Sequence, residues 1–386
     1  MKTIKLKIKS KNKTYPVFIG NNIIKKTGSY IITELPACKK IAILIDTNVP
    51  TKFINILKRS LKNFNITLIK FKSTEKEKKI KNVLKIVNLL LNKKFHRNDC
   101  IIAIGGGIVG DVGAFAASII KRGIRFVNIP STLLSQVDSS IGGKTGVNSN
   151  YGKNLIGTFF QPDIVISDIS VLDSLPKREK ICGYAEILKH SIISSRKFFF
   201  WLIDNSNYFF KFKDKKLIQK TIFESCKIKS KVIEKDEKEN NYRKILNFGH
   251  TFAHAFESAR NFSKNLNHGE AVLIGMICAC EFAFEKKILK KEDFNIIKNH
   301  YKKFNLPKNI KNYFEKEDIN KIVKFMKSDK KNYNNKISLI IIKKIGQTPK
   351  IITCNENQMR IFLKKKIKLI EFVKSECINL SLFLKC

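Results

Sequence analysis

Only six histidines occur in the 386 residues, and two of them stand four apart in NFGHTFAHAFES, residues 247–258. The apolar spacing there predicts a helix, which places His250 and His254 on one face. A pair at this spacing either shares a metal ion or packs as ordinary buried histidines, and the pattern alone leaves both readings open.

Two further residues extend the metal hypothesis. His268 precedes an apolar helix in NLNHGEAVLIGM, and Glu186 lies at the start of a predicted helix in GYAEILKH. Three nitrogen and oxygen ligands with one open position are typical of catalytic zinc, and the lack of sulfur ligands argues against a structural zinc site. Glu257 and Glu270 are candidates to hold the imidazoles in orientation.

The Glu186 helix also carries Lys189 at i+3 and His190 at i+4, so that a carboxylate, a cation and an imidazole share one face. These groups form either a solvated stripe or, since GYAEILKHSII is otherwise apolar, the wall of a cleft. Four more polar residues approach the same region along the chain: Lys229, Glu239, Arg243 and Asn247.

A glycine motif follows a predicted strand and opens a helix in AIGGGIVGDVG. Gly105, Gly107 and Gly110 fit G-x-G-x-x-G, in which glycines let the backbone approach a pyrophosphate at a helix N-terminus. The acidic residue usually found about twenty positions later is absent. The motif therefore indicates either a dinucleotide site or a tight strand-to-helix turn.

Polar residues also end two other predicted strands. Asp46 and Asn48 follow a buried strand, where Asp46 is suited either to ribose hydroxyls or to the N-cap of the next helix. Ser131 and Thr132 end another strand and are suited to phosphate.

The stretch QVDSSIGGKTGVNSNYGKN, residues 136–154, is rich in Gly, Ser and Asn and contains Asp138, Lys144, Lys153 and Asn154. It is predicted to be a polar loop, and such a loop is costly to order without a function. Lysines among glycines suit a phosphate or a carboxylate, and the alternative is a solvated turn.

Strand and helix patterns alternate up to about residue 176, with strands at 39–48, 64–71, 99–107, 124–132 and 162–170. From residue 177 the apolar residues recur with a period near 3.6, which indicates helices, and the main strand signal is at 336–346. We therefore predict a Rossmann-like α/β domain with a parallel sheet over 1–176, and a mainly α-helical metal- and substrate-binding domain over 177–386.

Composition limits the class of protein. Nine cysteines without a C-x-x-C pair indicate thiols in a reducing compartment, and we predict a cytoplasmic protein without a signal peptide or membrane span. The net charge of +43 is spread along the chain with no basic stripe, so we expect no nucleic-acid or membrane partner. The positive field would attract anionic substrates.

Taken together, several segments closely resemble the 3-dehydroquinate synthase family: GGGIVGDVGAFAAS, KRGIRFVNIPSTLLSQVDSSIGGKTGVN, GKNLIGTFFQP, GYAEILKH, NFGHTFAHAFE and NHGEAVLIGM. The resemblance runs from about residue 40 to residue 346. It implies the fold of the dehydroquinate synthase and iron-type alcohol dehydrogenase superfamily, assembled as a homodimer.

The resemblance also implies an activity. Members of the family convert 3-deoxy-D-arabino-heptulosonate 7-phosphate to 3-dehydroquinate and phosphate in the shikimate pathway, using catalytic NAD+ and Zn2+ or Co2+. The implied course is oxidation at C5, elimination of phosphate, reduction, ring opening and aldol closure. Alternatives on the same scaffold are another sugar-phosphate cyclase and a metal-dependent polyol dehydrogenase that releases NADH. A different class is a basic binding protein that has lost activity.

Matched motif by motif, Glu186, His250 and His268 resemble the metal ligands. The residues that resemble catalytic groups are His254, Lys144, Lys189, Asn154 and Glu239. Those that resemble substrate-binding groups are Asp138, Arg122, Lys229, Arg243 and Asn247, with Arg122 reaching the phosphate across the dimer interface. Those that resemble the NAD set are Asp46, Asn48, Glu75, Lys78, Gly105, Gly106, Gly107, Asp111, Ser131, Thr132, Lys144 and Lys153.

Some positions depart from the family pattern or stay undecided. Ala253 stands where Gly is usual, Ser131 stands where Thr is usual, and no Gly precedes Glu75. SDKK, residues 328–331, resembles a late lysine motif that contacts substrate, through either Lys330 or Lys331. The last twenty residues are predicted to be a helix or a loose tail without chemistry.

The charge excess yields a testable prediction. A chain with 75 Lys and Arg against 32 Asp and Glu repels itself in the folded state, and added salt screens that repulsion. We expect the melting temperature to rise from low to moderate NaCl concentration, measured by calorimetry. A melting temperature that stays flat over this range would contradict the prediction.

Overall fold

The computed structural model describes residues 1–327 and 336–368. The helices within these residues are α1 (Thr27–Glu34), α2 (Thr51–Ser60), α3 (Ile80–Asn92), α4 (Gly107–Ile119), α5 (Lys177–Ser194), α6 (Arg196–Lys211), α7 (Lys215–Lys235), α8 (His250–Ala259), α9 (His268–Glu285), α10 (Lys291–Lys303), α11 (Asp318–Lys327) and α12 (Glu356–Lys368). The strands are β1 (Ile4–Lys9), β2 (Thr14–Gly20), β3 (Lys40–Asp46), β4 (Asn65–Phe71), β5 (Cys100–Gly105), β6 (Arg125–Pro130), β7 (Lys144–Ser149), β8 (Gly152–Phe159), β9 (Ile164–Asp168), β10 (Ile337–Ile341) and β11 (Lys350–Cys354).

The chain divides into two compact units. The first contains residues 1–190 and 200–243, and the second contains residues 191–199 and the described residues from 244 onward. The predicted domain boundary at residue 177 differs from this division because α7 packs against β1 and β2 of the sheet. Helix α7, which the sequence pattern assigns to the helical domain, therefore belongs to the unit that contains the sheet.

A seven-stranded sheet forms the centre of the first unit, in the order β1-β2-β9-β6-β5-β3-β4. The six strands β2, β9, β6, β5, β3 and β4 pair in parallel in this spatial order. Strand β1 pairs antiparallel with β2 at the edge of the sheet. Every residue of β5 is buried, as its continuous apolar run CIIAIG requires in a parallel sheet covered on both faces. The predicted strands β3, β4, β5, β6 and β9 are confirmed.

The order of the strands creates a switch point at the carboxyl ends of β3 and β5. From β3 the chain passes to β4 on one side, and it then returns to β5 on the other side of β3. Ligands of open α/β sheets bind beyond the carboxyl ends of strands at such a switch point. Asp46 ends β3 and Gly105 ends β5, so the polar and glycine motifs of the sequence meet there.

The structure corrects the predicted loop over 136–154. Residues Ser135–Ser139 form a turn of π-helix, and β7 and β8 form an antiparallel hairpin in which Lys144 pairs with Phe159. The polar composition hid the hairpin because most of its residues stay near the surface. One apolar residue, Val147, is fully buried in the core of the first unit and anchors it.

The second unit is mainly helical, as predicted, with a small antiparallel sheet of β10 and β11. Two glycines bring α8 and α9 into backbone contact: a Cβ on Gly275 would stand 2.2 Å from the carbonyl oxygen of Gly249. Gly249 has a φ of 79°, which glycine adopts without strain. Ala253 is fully buried beside this crossing, so its methyl group is accommodated.

Other predicted features have different outcomes. Helix α6 and strand β11 were missed. Within the described residues no helix is long and apolar enough to cross a membrane. Seven cysteines among residues 1–327 and 336–368 are buried and form no disulfide. The SDKK motif and almost all of the C-terminal tail lie outside the described residues.

Asp168, which ends β9, generates a prediction about stability. Its side chain is 1% exposed and accepts hydrogen bonds from Asn22 N (2.9 Å), Ile24 N (2.8 Å), Ser170 N (2.9 Å) and Ser170 Oγ (2.7 Å). An amide would turn a donor toward these donors, so Asp168→Asn should lower the free energy of unfolding by about 2 kcal/mol in urea titrations.

Asp173→Asn is the matched control, since that carboxylate is 51% exposed and pairs with Lys215 near the surface. We expect its unfolding curve to match wild type. Equal midpoints for the Asp168 and Asp173 variants would show that the Asp168 contacts do not stabilise the fold.

Candidate functional site

The predicted dinucleotide residues lie where β3, β5 and β6 end, and we call this end of the sheet the nucleotide edge. Asp46, at the end of β3, is 6% exposed. Its Oδ1 accepts from Asn48 N at 2.9 Å and from Asn48 Nδ2 at 3.0 Å, and Gly106 N lies 3.5 Å from Oδ2. The N-cap of α2 is Pro50, so the N-cap alternative for Asp46 is wrong. Asp46 instead closes the turn after β3 and faces the glycine motif.

The glycines of that motif have no room for side chains. A Cβ on Gly105 would stand 2.7 Å from Asp46 Cβ, and one on Gly107 would stand 3.0 Å from Ser139 Oγ. Because α4 begins at Gly107, the amide groups of its first turn point toward this edge of the sheet. The motif is thus a helix N-terminus that a pyrophosphate can approach closely.

Ser131 and Thr132 follow β6 next to these glycines. Ser131 N donates to Gly105 O at 2.8 Å, which ties the two strand ends together. The hydroxyl groups of Thr132 and Ser135 lie 2.8 Å apart, and each accepts from the other residue's backbone N–H at 3.1 Å. Both predicted residues therefore lie at the nucleotide edge.

Lys78 joins three sequence segments in the same unit. It is 4% exposed, and its Nζ lies 2.5 Å from Asp111 Oδ2 on α4 and 2.5 Å from Asn154 Oδ1 on β8. Burial raises the pKa of Asp111 despite the neighbouring Lys78 ammonium. Three predicted site residues from distant parts of the sequence are brought together here.

Glu75 lies close by on the surface. It accepts from Asn148 Nδ2 at 2.7 Å and pairs with Lys153 Nζ at 3.0 Å. Partial burial raises its pKa, but the contacts with Asn148 and Lys153 outweigh burial and lower it overall. Glu75 thus holds the β7–β8 hairpin even though no glycine precedes it.

A second group, which we call the α5 charge cluster, consists of Asp138, Glu186, Lys189, His190 and Lys229. Helix α5 starts at Lys177, earlier than predicted, so these α5 residues lie in its interior and are at most 2% exposed. Glu186 and Lys189 form an ion pair. Lys229 Nζ donates to Asp138 Oδ1 at 2.7 Å and to its backbone oxygen at 2.6 Å. The reading as a solvated stripe is therefore wrong.

Burial and pairing set the protonation states in the cluster. Burial raises the pKa of Asp138, but Lys229, Lys189 and His190 outweigh it and hold that pKa well below its usual range. Burial, with Lys189 beside it, lowers the pKa of His190 to about 3. At neutral pH the cluster holds an ionised Asp138 next to a neutral imidazole.

Arg243 is 2% exposed and follows a loop that Asp236 organises. The Asp236 carboxylate accepts from the backbone N–H groups of Asn240 (3.0 Å), Asn241 (2.8 Å) and Arg243 (3.0 Å). Burial raises the pKa of Asp236, but these three bonds together with the Arg243 charge outweigh burial and lower that pKa. Glu239, at the tip of the loop, forms an ion pair with Lys144 of β7.

Both backbone polar groups of Gly142 form hydrogen bonds with buried side chains. Its N–H donates to the Tyr15 hydroxyl at 3.3 Å, and its carbonyl accepts from Arg243 Nη1 at 3.1 Å. Gly142 has a φ of 101°, and a Cβ there would stand 2.4 Å from Arg243 Nη2. Tyr15 and Asp236 were missed at the sequence level because one reads as a strand residue and the other as an ordinary helix end.

The second unit contains His250, His254 and His268, the histidines of the predicted metal and catalytic set. The rings of His250 and His268 lie 5.6 Å apart between centroids, and that of His254 lies 5.4 Å from His250. His250 Nδ1 lies 3.2 Å from Phe248 O, and His268 Nδ1 lies 3.3 Å from a Glu257 carboxylate oxygen. Donation from Nδ1 leaves the lone pair on Nε2, which is the arrangement of metal-ligating histidines.

The remaining predicted residues are placed differently. Glu270 closes a capping box with Asn267 at the start of α9, and Asn247 lies three residues before α8. His254 is exposed on α8. Arg122 is exposed beyond the far end of α4, about 20 Å from the glycine motif along a helix of 13 residues. A single chain therefore does not bring Arg122 to the nucleotide edge.

Comparison with known proteins identifies the family of the chain. A family model described as 3-dehydroquinate synthase N-terminal matches residues 68–182, and one described as 3-dehydroquinate synthase C-terminal matches residues 183–332. The chain is 50% identical to a 3-dehydroquinate synthase of Pelagibacter ubique over 367 residues, which is 95% of this chain and all of the relative. It is 37% identical to that of Agrobacterium fabrum, covering 92% of this chain and 94% of the relative.

Solved structures share the fold at lower identity. A 2-deoxy-scyllo-inosose synthase, complexed with carbaglucose-6-phosphate, NAD+ and Co2+, has a TM-score of 0.84 at 22% identity, covering 94% of this chain and all of that one. The 2-epi-5-epi-valiolone synthase of Streptomyces hygroscopicus, with NAD+ and Zn2+ bound, has a TM-score of 0.79 at 22% identity, covering 91% and 96%. By its match to the family models and to full-length relatives, the chain belongs to the 3-dehydroquinate synthase family.

Proposed function

We propose that this chain converts 3-deoxy-D-arabino-heptulosonate 7-phosphate to 3-dehydroquinate and phosphate, as a phosphate-eliminating lyase of the shikimate pathway. The observation that carries the proposal is the 50% identity to a named 3-dehydroquinate synthase along 95% of the chain. The buried, paired cations of the first unit support it, since the substrate carries both a phosphate and a carboxylate.

We assign metal binding to Glu186, His250 and His268, the residues whose motifs match the metal ligands of the family. The Nδ1 contacts of the two histidines favour the tautomer that ligates metal through Nε2, and Glu186 adds a carboxylate oxygen. Nitrogen and oxygen donors of this kind suit Zn2+ or Co2+. Such an ion would act as a Lewis acid on the hydroxyl group that is oxidised.

The dinucleotide is assigned to the crevice at the switch point of the sheet. Gly105, Gly106 and Gly107 let the pyrophosphate approach the start of α4, and Asp46 has an oxygen directed at the same edge. Lys78, Asp111, Glu75 and Lys153 form the polar wall beside it. NAD+ would accept a hydride from the substrate and return it within one turnover.

Substrate oxygens are assigned to cations that the protein holds with its own acceptors. Lys144 is paired with Glu239, Lys189 with Glu186, and Lys229 with Asp138, while Arg243 donates to the Gly142 carbonyl. A phosphate or carboxylate can replace these acceptors because it offers charge-assisted hydrogen bonds of the same type. Asp138, Asn154, Asn247 and His254 are then partners for hydroxyl groups, and His254 is the candidate to hold or move a proton.

The assembly is part of the proposal. Arg122 cannot serve its own nucleotide edge from the far end of α4, so we propose a homodimer in which it reaches the phosphate of the partner's site. We also propose that the protein acts in the cytoplasm, without a nucleic-acid or membrane partner. The division into functional domains at 176 and 177 stays a prediction.

A direct assay tests the reaction. Phosphate release from 3-deoxy-D-arabino-heptulosonate 7-phosphate is measured with NAD+ and Zn2+ each present or omitted. We expect one dehydroquinate per phosphate, no net NADH, and activity only when both cofactors are supplied. A folded protein that binds NAD+ and releases no phosphate would overturn the proposal, and net NADH from a polyol would identify a dehydrogenase instead.

A glycine substitution tests the role of Arg243. Gly142→Ala places a methyl group 2.4 Å from the guanidinium at a φ of 101°, so Arg243 must move. We expect kcat/KM for the substrate to fall at least tenfold, while the affinity for NAD+ measured by calorimetry stays near wild type.

Gly152→Ala is the control, because it also has a positive φ, 150°, and its Cβ would meet nothing closer than 3.4 Å. Equal losses in the two variants would mean that backbone strain, and not displacement of Arg243, causes the effect.

A further inference from the structure

His190 is a buried imidazole without a role in the assignments above. It is fully buried on α5, and its Nδ1 lies 2.8 Å from the Ser225 hydroxyl on α7, which fixes the orientation of the ring. Its other nitrogen, Nε2, is buried and has no hydrogen-bond partner among residues 1–327 and 336–368. A buried polar atom left in this state destabilises the fold, so its retention calls for a functional reason.

An acceptor lies just beyond the reach of that nitrogen. Asp138 Oδ1 is 3.8 Å from His190 Nε2, about 1 Å longer than an ordinary N–H···O hydrogen bond. The same oxygen accepts from Lys229 Nζ at 2.7 Å. The nearby carboxylate favours the tautomer with the proton on Nε2, in which Ser225 donates to Nδ1.

Lys229 cannot serve two anions equally well. It donates to both the side chain and the backbone carbonyl of Asp138, and it is 5% exposed. When a substrate oxygen attracts this ammonium, the bond to the Asp138 carboxylate weakens. An ionised carboxylate that loses its partner in such surroundings is costly.

We propose that His190 is a positioning residue that takes over the Asp138 carboxylate, through its Nε2–H, when Lys229 turns to the bound substrate. A shift of the Asp138 side chain by about 1 Å completes the bond. The inference rests on the proposed function, because it uses Lys229 and Asp138 as substrate-binding residues.

A second metal site is the competing explanation for this group. Ligand atoms of Asp138, Glu186 and His190 all lie within 4.8 Å of one another. However, Lys229 is paired with the Asp138 carboxylate and repels a cation between Asp138 and His190, and Glu186 is already assigned to the metal ion with His250 and His268. The charges favour a hydrogen bond over a second ion.

The first test replaces His190 by Phe, which keeps a ring of similar size and removes both nitrogens. We expect KM for 3-deoxy-D-arabino-heptulosonate 7-phosphate to rise about tenfold with little change in kcat, because the lost bond exists in every substrate-bound state. His190→Gln, whose amide nitrogen reaches a similar point, should restore most of the affinity. If the His190→Phe variant keeps the wild-type KM while the wild-type protein releases phosphate, the inference about His190 is overturned and the proposed function stands.

A double-variant cycle separates positioning from packing. Substrate binding is measured by calorimetry without NAD+, in the wild-type and Asp138→Asn backgrounds. We expect His190→Phe to weaken binding in the first background and to have almost no further effect in the second. Equal losses in both backgrounds would show that His190 only fills space.

A spectroscopic readout covers the case in which a variant folds poorly. In wild-type protein with 15N-labelled histidine, the Nε2–H proton of His190 should move downfield when substrate is added, as a new hydrogen bond to a carboxylate requires. A resonance that does not move would contradict the proposal. Absence of phosphate release by wild type would instead overturn the proposed function and this inference together.

Discussion

A charged side chain that leaves water needs a partner, and this requirement organises the first unit. Lys229 is held by Asp138, Lys189 by Glu186, and Lys78 by Asp111 and Asn154, all with little exposure of the lysines. Each pair offsets the cost of burial in the protein without ligand. In each pair a lysine ammonium group is held next to a carboxylate, and an anionic substrate oxygen can replace that carboxylate as its hydrogen-bond acceptor. The fold must therefore bring these segments together before any substrate arrives.

The sheet and the hairpin meet that demand by different means. Parallel strands deliver Asp46, Gly105 and Ser131 to one edge because their carboxyl ends share a side of the sheet. The β7–β8 hairpin and the 236–243 loop deliver Lys144, Glu239 and Arg243 through turns that depend on positive φ at Gly142, Gly143 and Glu239. The second unit uses a glycine crossing of α8 and α9 to set its histidine rings side by side.

Much of this could be predicted from the sequence, and the limits have physical reasons. Strands β3, β5 and β9 are continuous apolar runs, so burial on both faces revealed them, and the helices α7 to α10 follow a clear period. The hairpin over 144–159 was hidden because its residues are mostly polar or exposed and only Val147 anchors it. The glycine motif at 105–110 and the histidine pair at 250 and 254 were recognisable because their chemistry needs fixed spacings.

Long-range partners could not be derived from local pattern. Nothing near Tyr15 in the sequence indicates that its hydroxyl accepts from Gly142 N, and Asp236 reads as a helix end although it organises the loop of Arg243. His190 was noticed for its place on the Glu186 face, but its orphaned nitrogen became visible only with Ser225 and Asp138 in place. Such contacts depend on the topology of the sheet and of α7, which local spacing does not encode.

The proposed reaction requires the chain to remove a hydride from its substrate and return it to the same molecule within one turnover. The most direct measurement uses substrate deuterated at C5, catalytic NAD+ and mass spectrometry of the product. We predict that dehydroquinate keeps the deuterium and that no labelled dinucleotide is released. Loss of the label from the product, or its appearance in free reduced dinucleotide, would contradict the account.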